Sequence, residues 1–253
     1  MNPAFIIPEW GAPANVAALS STRFGGVSPA PYDDGVGGGG LNPAAHVGDD
    51  ELNVVRNRAI LVANLPAEPI WLNQVHGVAV LDASMAAPGA TADAIISTQP
   101  GHVCAIQTAD CLPVLFADAA GRVIGAAHGG WRGLAGGILE NTVARMREAG
   151  AAELHVWLGP AIGPNQFEVG ADVREAFLLR HEMAGQAFLP IADRPGKFLA
   201  DIYQLARLLL QALDVTRISG GDCCTVSDAR FYSYRRDRIT GRMASMVWIK
   251  GSG

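Results

Sequence analysis

Residues 103–150 read VCAIQTADCLPVLFADAAGRVIGAAHGGWRGLAGGILENTVARMREAG, and this span decides the class of fold. Three short apolar runs, 103–108, 113–117 and 122–127, have the length and composition of strands. Ala119, Ala120 and Gly121 supply a turn between the last two, which predicts a hairpin. The period then changes. Over 135–149, Ile138, Leu139, Thr142, Val143 and Met146 share one helical face, and Gly150 stands where a C-terminal cap belongs.

The same mixture extends in both directions. Residues 49–64 predict a helix, with Asp49 and Asp50 placed to cap it and Leu52, Val55, Ala59 and Val62 on one side. Residues 71–81, 94–97, 154–158, 217–219 and 243–249 predict strands. Residues 171–182 and 199–213 predict helices, the second apolar enough to be buried on most sides. No strict βαβ rhythm and no G-x-G-x-x-G opening a helix are present, so a dinucleotide fold is not expected. The expectation is an α/β (α+β) chain of mixed β-sheets flanked by helices, with residues 1–253 forming one domain.

Composition narrows the function. The 253 residues are 49% hydrophobic and 17% charged, which excludes disorder. A net charge of −5 argues against a nucleic-acid partner, and no run approaches the roughly 18 apolar residues of a membrane span. Residues 1–13 carry no Lys or Arg ahead of an apolar run, so they do not read as a secretory signal. Cys104, Cys111, Cys223 and Cys224 are too few and too oddly placed for a disulfide scaffold, and reduced thiols in a cytoplasmic protein are expected. Residues 33–40 contain four consecutive glycines and read as a flexible surface loop.

Three segments carry candidate chemistry: Asn-Gln-Val-His-Gly (73–77), Thr-Ala-Asp-Cys-Leu-Pro (108–113) and His-Gly-Gly-Trp-Arg-Gly (128–133). Each lies at a predicted strand end, where functional side chains tend to be presented. His76, Cys111 and His128 could hold a catalytic zinc that keeps one coordination position open. Their long spacing matches no short metal motif. A buried cysteine with two locally bonded histidines, or a metal-free Cys111–His128 nucleophile pair, fits the same residues. Asp110 is placed either to orient a ligand and move a proton or to cap a turn. Gly129, Gly130 and Gly133 precede a helix and let backbone approach an anion that Arg132 could grip with two parallel hydrogen bonds. A solvated arginine on a glycine-rich turn is the plainer alternative. Arg23, beside Gly25 and Gly26, poses the same choice. His46 belongs to a polar cluster with Asn42, Asp49 and Asp50, and either lines a pocket or bonds locally. The Arg235–Arg238 region, balanced by Asp237, reads as a solvated turn.

Taken together, these segments resemble the laccase-domain family, first labelled multicopper polyphenol oxidoreductases. The family was later described as purine nucleoside phosphorylases with adenosine deaminase activity and as peptidoglycan editing factors. The resemblance extends to Leu-Asn…His-Val-Gly-Asp (41–49), Leu-Gly-Pro-Ala-Ile-Gly-Pro (158–164), Phe-Tyr-Ser-Tyr-Arg-Arg-Asp (231–237) and Thr-Gly-Arg-Met-Ala-Ser (240–245), and so covers nearly the whole chain. It implies that His76, Cys111 and His128 are metal ligands in one α/β domain. Two features depart from the family pattern: Asn165 and Gln166 follow Ile-Gly-Pro where a cysteine is frequent, and 33–40 is a glycine-rich expansion.

A blue copper plus a trinuclear cluster needs many imidazoles, and the chain has six histidines with no His-X-His pair. A full laccase copper set is therefore excluded within one chain. A single copper in the same site stays open, because Cu²⁺ outcompetes Zn²⁺ at most nitrogen and sulfur sites. The resemblance implies phosphorolysis of adenosine or inosine to free base and ribose 1-phosphate, with adenosine deamination as a further activity. Zinc would hold and polarise the substrate, Asp110 would assist proton movement, and Arg132 with Arg23 would place phosphate. The alternatives are a zinc- or Cys111-dependent amidase acting on peptidoglycan precursors, and a structural zinc protein closed by a fourth ligand such as Cys104.

Overall fold

The computed structural model describes residues 4–87 and 89–251. In chain order the elements are β1 (Phe5–Ile6), β2 (Val16–Ser21), α1 (Glu51–Val62), β3 (Pro69–Ile70), β4 (Val80–Asp82), β5 (Ala94–Ser97) and β6 (Val103–Thr108). There follow β7 (Leu112–Asp118), β8 (Ile124–Gly129), α2 (Trp131–Gly136), α3 (Ile138–Glu148), β9 (Leu154–Leu158), β10 (Glu168–Gly170) and α4 (Ala171–Leu178). The chain closes with β11 (Phe188–Pro190), β12 (Lys197–Ala200), α5 (Ile202–Gln211), β13 (Arg217–Gly220), α6 (Tyr234–Asp237) and β14 (Met243–Ile249).

Two larger sheets stack face to face. One has the order β1-β2-β14-β6-β3, the other β13-β9-β7-β8-β5-β4, and a three-stranded sheet β10-β12-β11 stands apart from both. Side-chain alternation along the central strands explains the layering. On β6, Cys104 and Ile106 face the space between the sheets, where they meet Leu115, Ala117, Ile124 and Ala126. Val103 and Ala105 face the other way, onto Leu61 of α1. On β7, Val114 and Phe116 point away from the sheet interface and pack on Ile138, Leu139, Val143 and Met146 of α3 and Leu205 and Leu209 of α5. Both faces of these strands are therefore buried, which is why they read as continuous apolar runs. This is the expected mixed α/β architecture.

The hairpin forms as expected: β7 pairs β8 antiparallel, with Val114 opposite Ala127 and Phe116 opposite Gly125, and Gly121 takes φ +68 in the turn. Other expectations are corrected. The span 71–81 is not a strand. Only β3 before it, a single bridge from Asn73 to Thr91 and the end at β4 pair, because the amides of Val75, His76 and Gly77 donate to the Asp93 carboxylate and not to a ladder. The helix expected over 135–149 is two helices that begin at Trp131. Gly137, at φ +105, closes the first through its N–H to Gly133 and Leu134 carbonyls and opens the second. The helix expected from 199 starts at Ile202, with the Asp201 side chain accepting from Tyr203 and Gln204 N–H groups, and Leu199 belongs to β12. At α1, Asp50 is the cap; Asp49 instead accepts from Ser28 and Asn42.

The glycine-rich loop is exposed at its tip but anchored at its base. Arg23 donates to the Asp33 carbonyl and carboxylate, Ser28 and Gly40 exchange backbone hydrogen bonds, and the Tyr232 hydroxyl donates to the Tyr32 carbonyl. A Cβ on Gly40 would meet that same carbonyl oxygen at 1.8 Å, so glycine is required there.

Candidate metal centre

Three strand ends converge. His128 is the penultimate residue of β8. Cys111 sits in the break between β6 and β7, and His76 in the loop between β3 and β4. The ligand atoms of the three lie within 4.8 Å of one another, and no other such group of three occurs among the described residues. Cys111 Sγ is 3.9 Å from His76 Nε2, and the two imidazoles meet edge to face at a centroid distance of 4.7 Å. Gly130 floors this space: a Cβ there would come within 2.8 Å of the His76 ring and 3.4 Å of Cys111 Sγ.

One carboxylate organises the set. Asp93, fully buried, accepts from His128 Nδ1 at 2.8 Å, and from the amides of Val75 at 3.2 Å, His76 at 2.9 Å and Gly77 at 2.7 Å. With the proton on Nδ1, the lone pair of His128 Nε2 is left for a metal. The same bonds hold His76 in its left-handed conformation, φ +60. Gln74 completes the loop's attachment by pairing its amide group with both the carbonyl and the N–H of Gln107.

Electrostatics suit a cation. Burial alone would push the Cys111 thiol up, but the neighbouring His128 charge and hydrogen bonds from His128 and His76 bring it down to about 6. Burial would lower His128, yet Cys111 and Asp93 raise it to about 9. Burial likewise opposes ionisation of Asp93, and the hydrogen bonds from His128 and the loop amides still hold it below the usual carboxylate range. A thiolate and two imidazoles are the donor set for a soft or borderline metal ion.

The structure separates the other residues singled out in the sequence. Asp110, at φ +84, accepts from Thr225 Oγ1 and from the Arg235 amide, each at 2.6 Å, so it ties three chain segments together. The ligand-orienting part expected of it is played by Asp93. Nothing in the sequence signals this part for Asp93: it is the one acidic residue between Asp82 and Asp110, and no local pattern joins it to the residues it bonds. Arg132 is exposed, stacked 4.5 Å over the Trp131 ring, and does not line the cavity in front of the ligands. Arg23 is spent on Asp33 and lies 5.1 Å over the Tyr232 ring. His46 does line the cavity, a space of about 320 Å³ shared with the three ligands, Gln74 and Arg242. Burial, then Arg242 and Arg58, lower the His46 imidazole below its ordinary value. Arg242 was read only as part of a family motif, and its place in the cavity comes from β14 running beside β6.

A family model described as multi-copper polyphenol oxidoreductase laccase matches residues 17–250. The chain belongs to that family. It is 53% identical over 248 residues to the Pseudomonas aeruginosa protein named purine nucleoside phosphorylase PA4543, covering 98% of this chain and 99% of that one. It is 51% identical to the Escherichia coli K12 protein named purine nucleoside phosphorylase YfiH, covering 96% and 98%. Among solved structures, Neisseria meningitidis protein NMB0706 superposes with a TM-score of 0.89 at 46% identity, covering 98% of this chain and all of that one. Bacillus licheniformis YfiH gives a TM-score of 0.87 at 27% identity, covering 98% and 97%.

The multi-copper label in the family description does not carry over to a copper cluster here. His102 bonds Ser97, His155 faces Arg217 and His181 faces Glu140, and none of them belongs to the ligand cluster. The two departures from the family pattern also fall elsewhere. Asn165 and Gln166 line a separate cavity with Cys223 and Cys224, and the loop 33–40 lines neither space. Among the described residues, no helix is long and apolar enough to cross a membrane.

Proposed function

We propose that this chain is a zinc-dependent purine nucleoside phosphorylase acting on adenosine or inosine. The observation that carries this reading is an incomplete ligand set opening onto a cavity. His76, Cys111 and His128 supply three donors, and the cavity beside them is of small-molecule size. A closed structural site would need a fourth protein ligand. Cys104, the candidate for it, is instead fully buried between the two sheets, where burial pushes its thiol up. The relatives named purine nucleoside phosphorylase at 51–53% identity supply the reaction class.

The donor chemistry fits zinc. Cys111 Sγ and one ring nitrogen from each of His76 and His128 would hold the ion, drawing in from their present spacing of up to 4.8 Å. Cys111 is already biased toward thiolate, and His128, held through Nδ1 by Asp93, would present Nε2 on losing the proton it shares with Cys111. When bound, zinc supplies Lewis-acid polarisation at the open position. The chain's own groups do the rest. Asp93 fixes His76 and His128, and Asp110 fixes the turn that carries Cys111. His46 offers the substrate a ring N–H donor. In phosphorolysis a phosphate oxygen bonds to ribose C1′ while the bond from C1′ to the purine breaks. The electron pair leaves on the base, which takes up a proton. The partners are then a purine nucleoside and inorganic phosphate, in the cytoplasm.

The test supplies inosine or adenosine to protein of defined zinc content, with and without phosphate. Free base and ribose 1-phosphate should form only with phosphate, and His76→Ala should abolish them. Absence of both products in the parent refutes the reading.

A second reading has its own observation. Cys111, His128 and Asp93 form a thiolate–imidazole–carboxylate chain suited to amide hydrolysis. It predicts release of an amino acid from a muramyl-linked precursor with no dependence on phosphate.

A further inference from the structure

The cavity holds a guanidinium that no carboxylate contacts directly, although Cys111 and Asp110 are near enough to act on its charge. Arg242 is half-buried and lines the space in front of the ligand set. Its Nη1 donates to the carbonyls of Thr240 at 3.1 Å and Gly241 at 3.0 Å, which fixes the guanidinium. Nε and Nη2 have no hydrogen-bond partner among the described residues, and no carboxylate pairs with the group. The same wall carries a second unsatisfied donor. Thr108 is 2% exposed, its Oγ1 is buried without any partner, and the residue lines the same cavity. The pairing of Thr108 with Met243 across β6 and β14 brings this strand end close to the chain at Arg242, and both residues line the one cavity. Buried polar atoms are almost always bonded, so an orphaned hydroxyl and two unbonded guanidinium nitrogens on one cavity point to an acceptor that binds there.

We infer that Arg242 and Thr108 form the oxyanion subsite of this cavity, taking inorganic phosphate next to the His76–Cys111–His128 set. This deepens the phosphorylase reading and rests on it for the identity of the ion. The guanidinium fork meets two phosphate oxygens through Nε and Nη2, and the Thr108 hydroxyl donates to one of them. His46, on the same cavity as Arg242, offers a further ring N–H toward the ion. The subsite replaces Arg132 and Arg23, which the structure directs elsewhere.

The experiment titrates inorganic phosphate into the zinc-loaded protein by calorimetry, using the parent, Arg242→Gln, Arg242→Lys and Thr108→Val. Thermal melts and zinc content are measured alongside. Phosphate should bind the parent, and Arg242→Gln should weaken it about tenfold or more, with partial recovery in Arg242→Lys. Thr108→Val, nearly isosteric, should weaken it by about threefold to tenfold with melting and zinc content unchanged. In turnover, the KM for phosphate should rise in these variants while the KM for nucleoside stays near the parent value. A parent that does not bind phosphate overturns the proposal, as do variants that bind it equally well. If binding depends on Arg242 but no ribose 1-phosphate forms, the subsite stands and the phosphorylase reading falls.

Discussion

Replacing Asp93 by asparagine is the sharpest probe of how the metal centre is assembled. The carboxylate takes four donors at once: His128 Nδ1 and the amides of Val75, His76 and Gly77. An asparagine oxygen can accept about two of these, and its NH₂ then faces the other two donors. Each buried donor left unpaired costs about 1–3 kcal/mol, so metal-free Asp93→Asn should lose about 2–6 kcal/mol. Metal affinity should suffer separately. If the amide NH₂ donates to Nδ1, His128 must carry its proton on Nε2, the atom a metal needs, and losing the carboxylate partner costs about 10–100-fold in affinity. Urea unfolding of the metal-free protein and zinc competition against a colorimetric chelator measure the two effects. The pH dependence has a definite sign. The Asp93 carboxyl is held below its ordinary range, so its contribution is complete above a pH of about 4 and is lost as pH falls through the folded value. The gap between parent and variant should therefore close in acid. An Asp93→Asn protein within about 0.5 kcal/mol of the parent and within about twofold in zinc affinity would show that the carboxylate does not organise the site.

Gly130→Ala should lower zinc affinity with little change in folding stability, because the new Cβ meets the exposed His76 ring at 2.8 Å and displaces it; chelator competition beside a thermal melt checks both. Arg23→Ala should cost about 1–3 kcal/mol in urea unfolding through its lost bonds to Asp33, whereas Arg132→Ala should stay within about 0.5 kcal/mol, and neither should move the KM for phosphate. In the metal-free protein, Cys111 should alkylate with iodoacetamide with an apparent pKa of about 6, against about 11 at Cys223, and zinc should protect it; residue-resolved mass spectrometry reads all three results.

The sequence shows its regular elements where both faces of a strand are buried and fails where backbone hydrogen bonds leave the ladder. Val103–Thr108, the β7–β8 hairpin and Leu154–Leu158 are legible because short, mostly apolar runs of this length suit strands buried on both faces. The span 71–81 looked equally apolar, yet its amides are taken by a side chain, Asp93, that no local pattern connects to it. Val16–Ser21 is paired on both sides yet carries little strand signal, because after Val16 its residues are Ala, Leu and Ser, with no aromatic and no further β-branched side chain. The same limit applies at the site. Side-chain type and strand-end position were enough to single out His76, Cys111 and His128. Phosphate was assigned to Arg132 and Arg23 by proximity to glycines, a local cue. The cation that faces the ligands, Arg242, reaches them only through the pairing of β14 with β6.

This dependence on distant pairing has a physical consequence for the metal centre. Two of the residues that shape it, His76 at φ +60 and Asp110 at φ +84, sit in a conformation that costs a non-glycine residue about 1–3 kcal/mol. Each is held there by carboxylate bonds: Asp93 takes the His76 amide and its neighbours, while Asp110 takes Thr225 Oγ1 and the Arg235 amide. The two clamps are independent, one closing the loop that carries His76 and the other the turn that carries Cys111. The strain is therefore met by folding and not by the metal, so that binding has only to draw three placed ligands together. Zinc should accordingly bind with little change in far-ultraviolet circular dichroism, and Asp110→Ala should weaken binding with His76 and Asp93 still in place. A metal-free protein that gains substantial secondary structure on adding zinc would contradict this, because it would mean that the ion, not Asp93 and Asp110, folds the site.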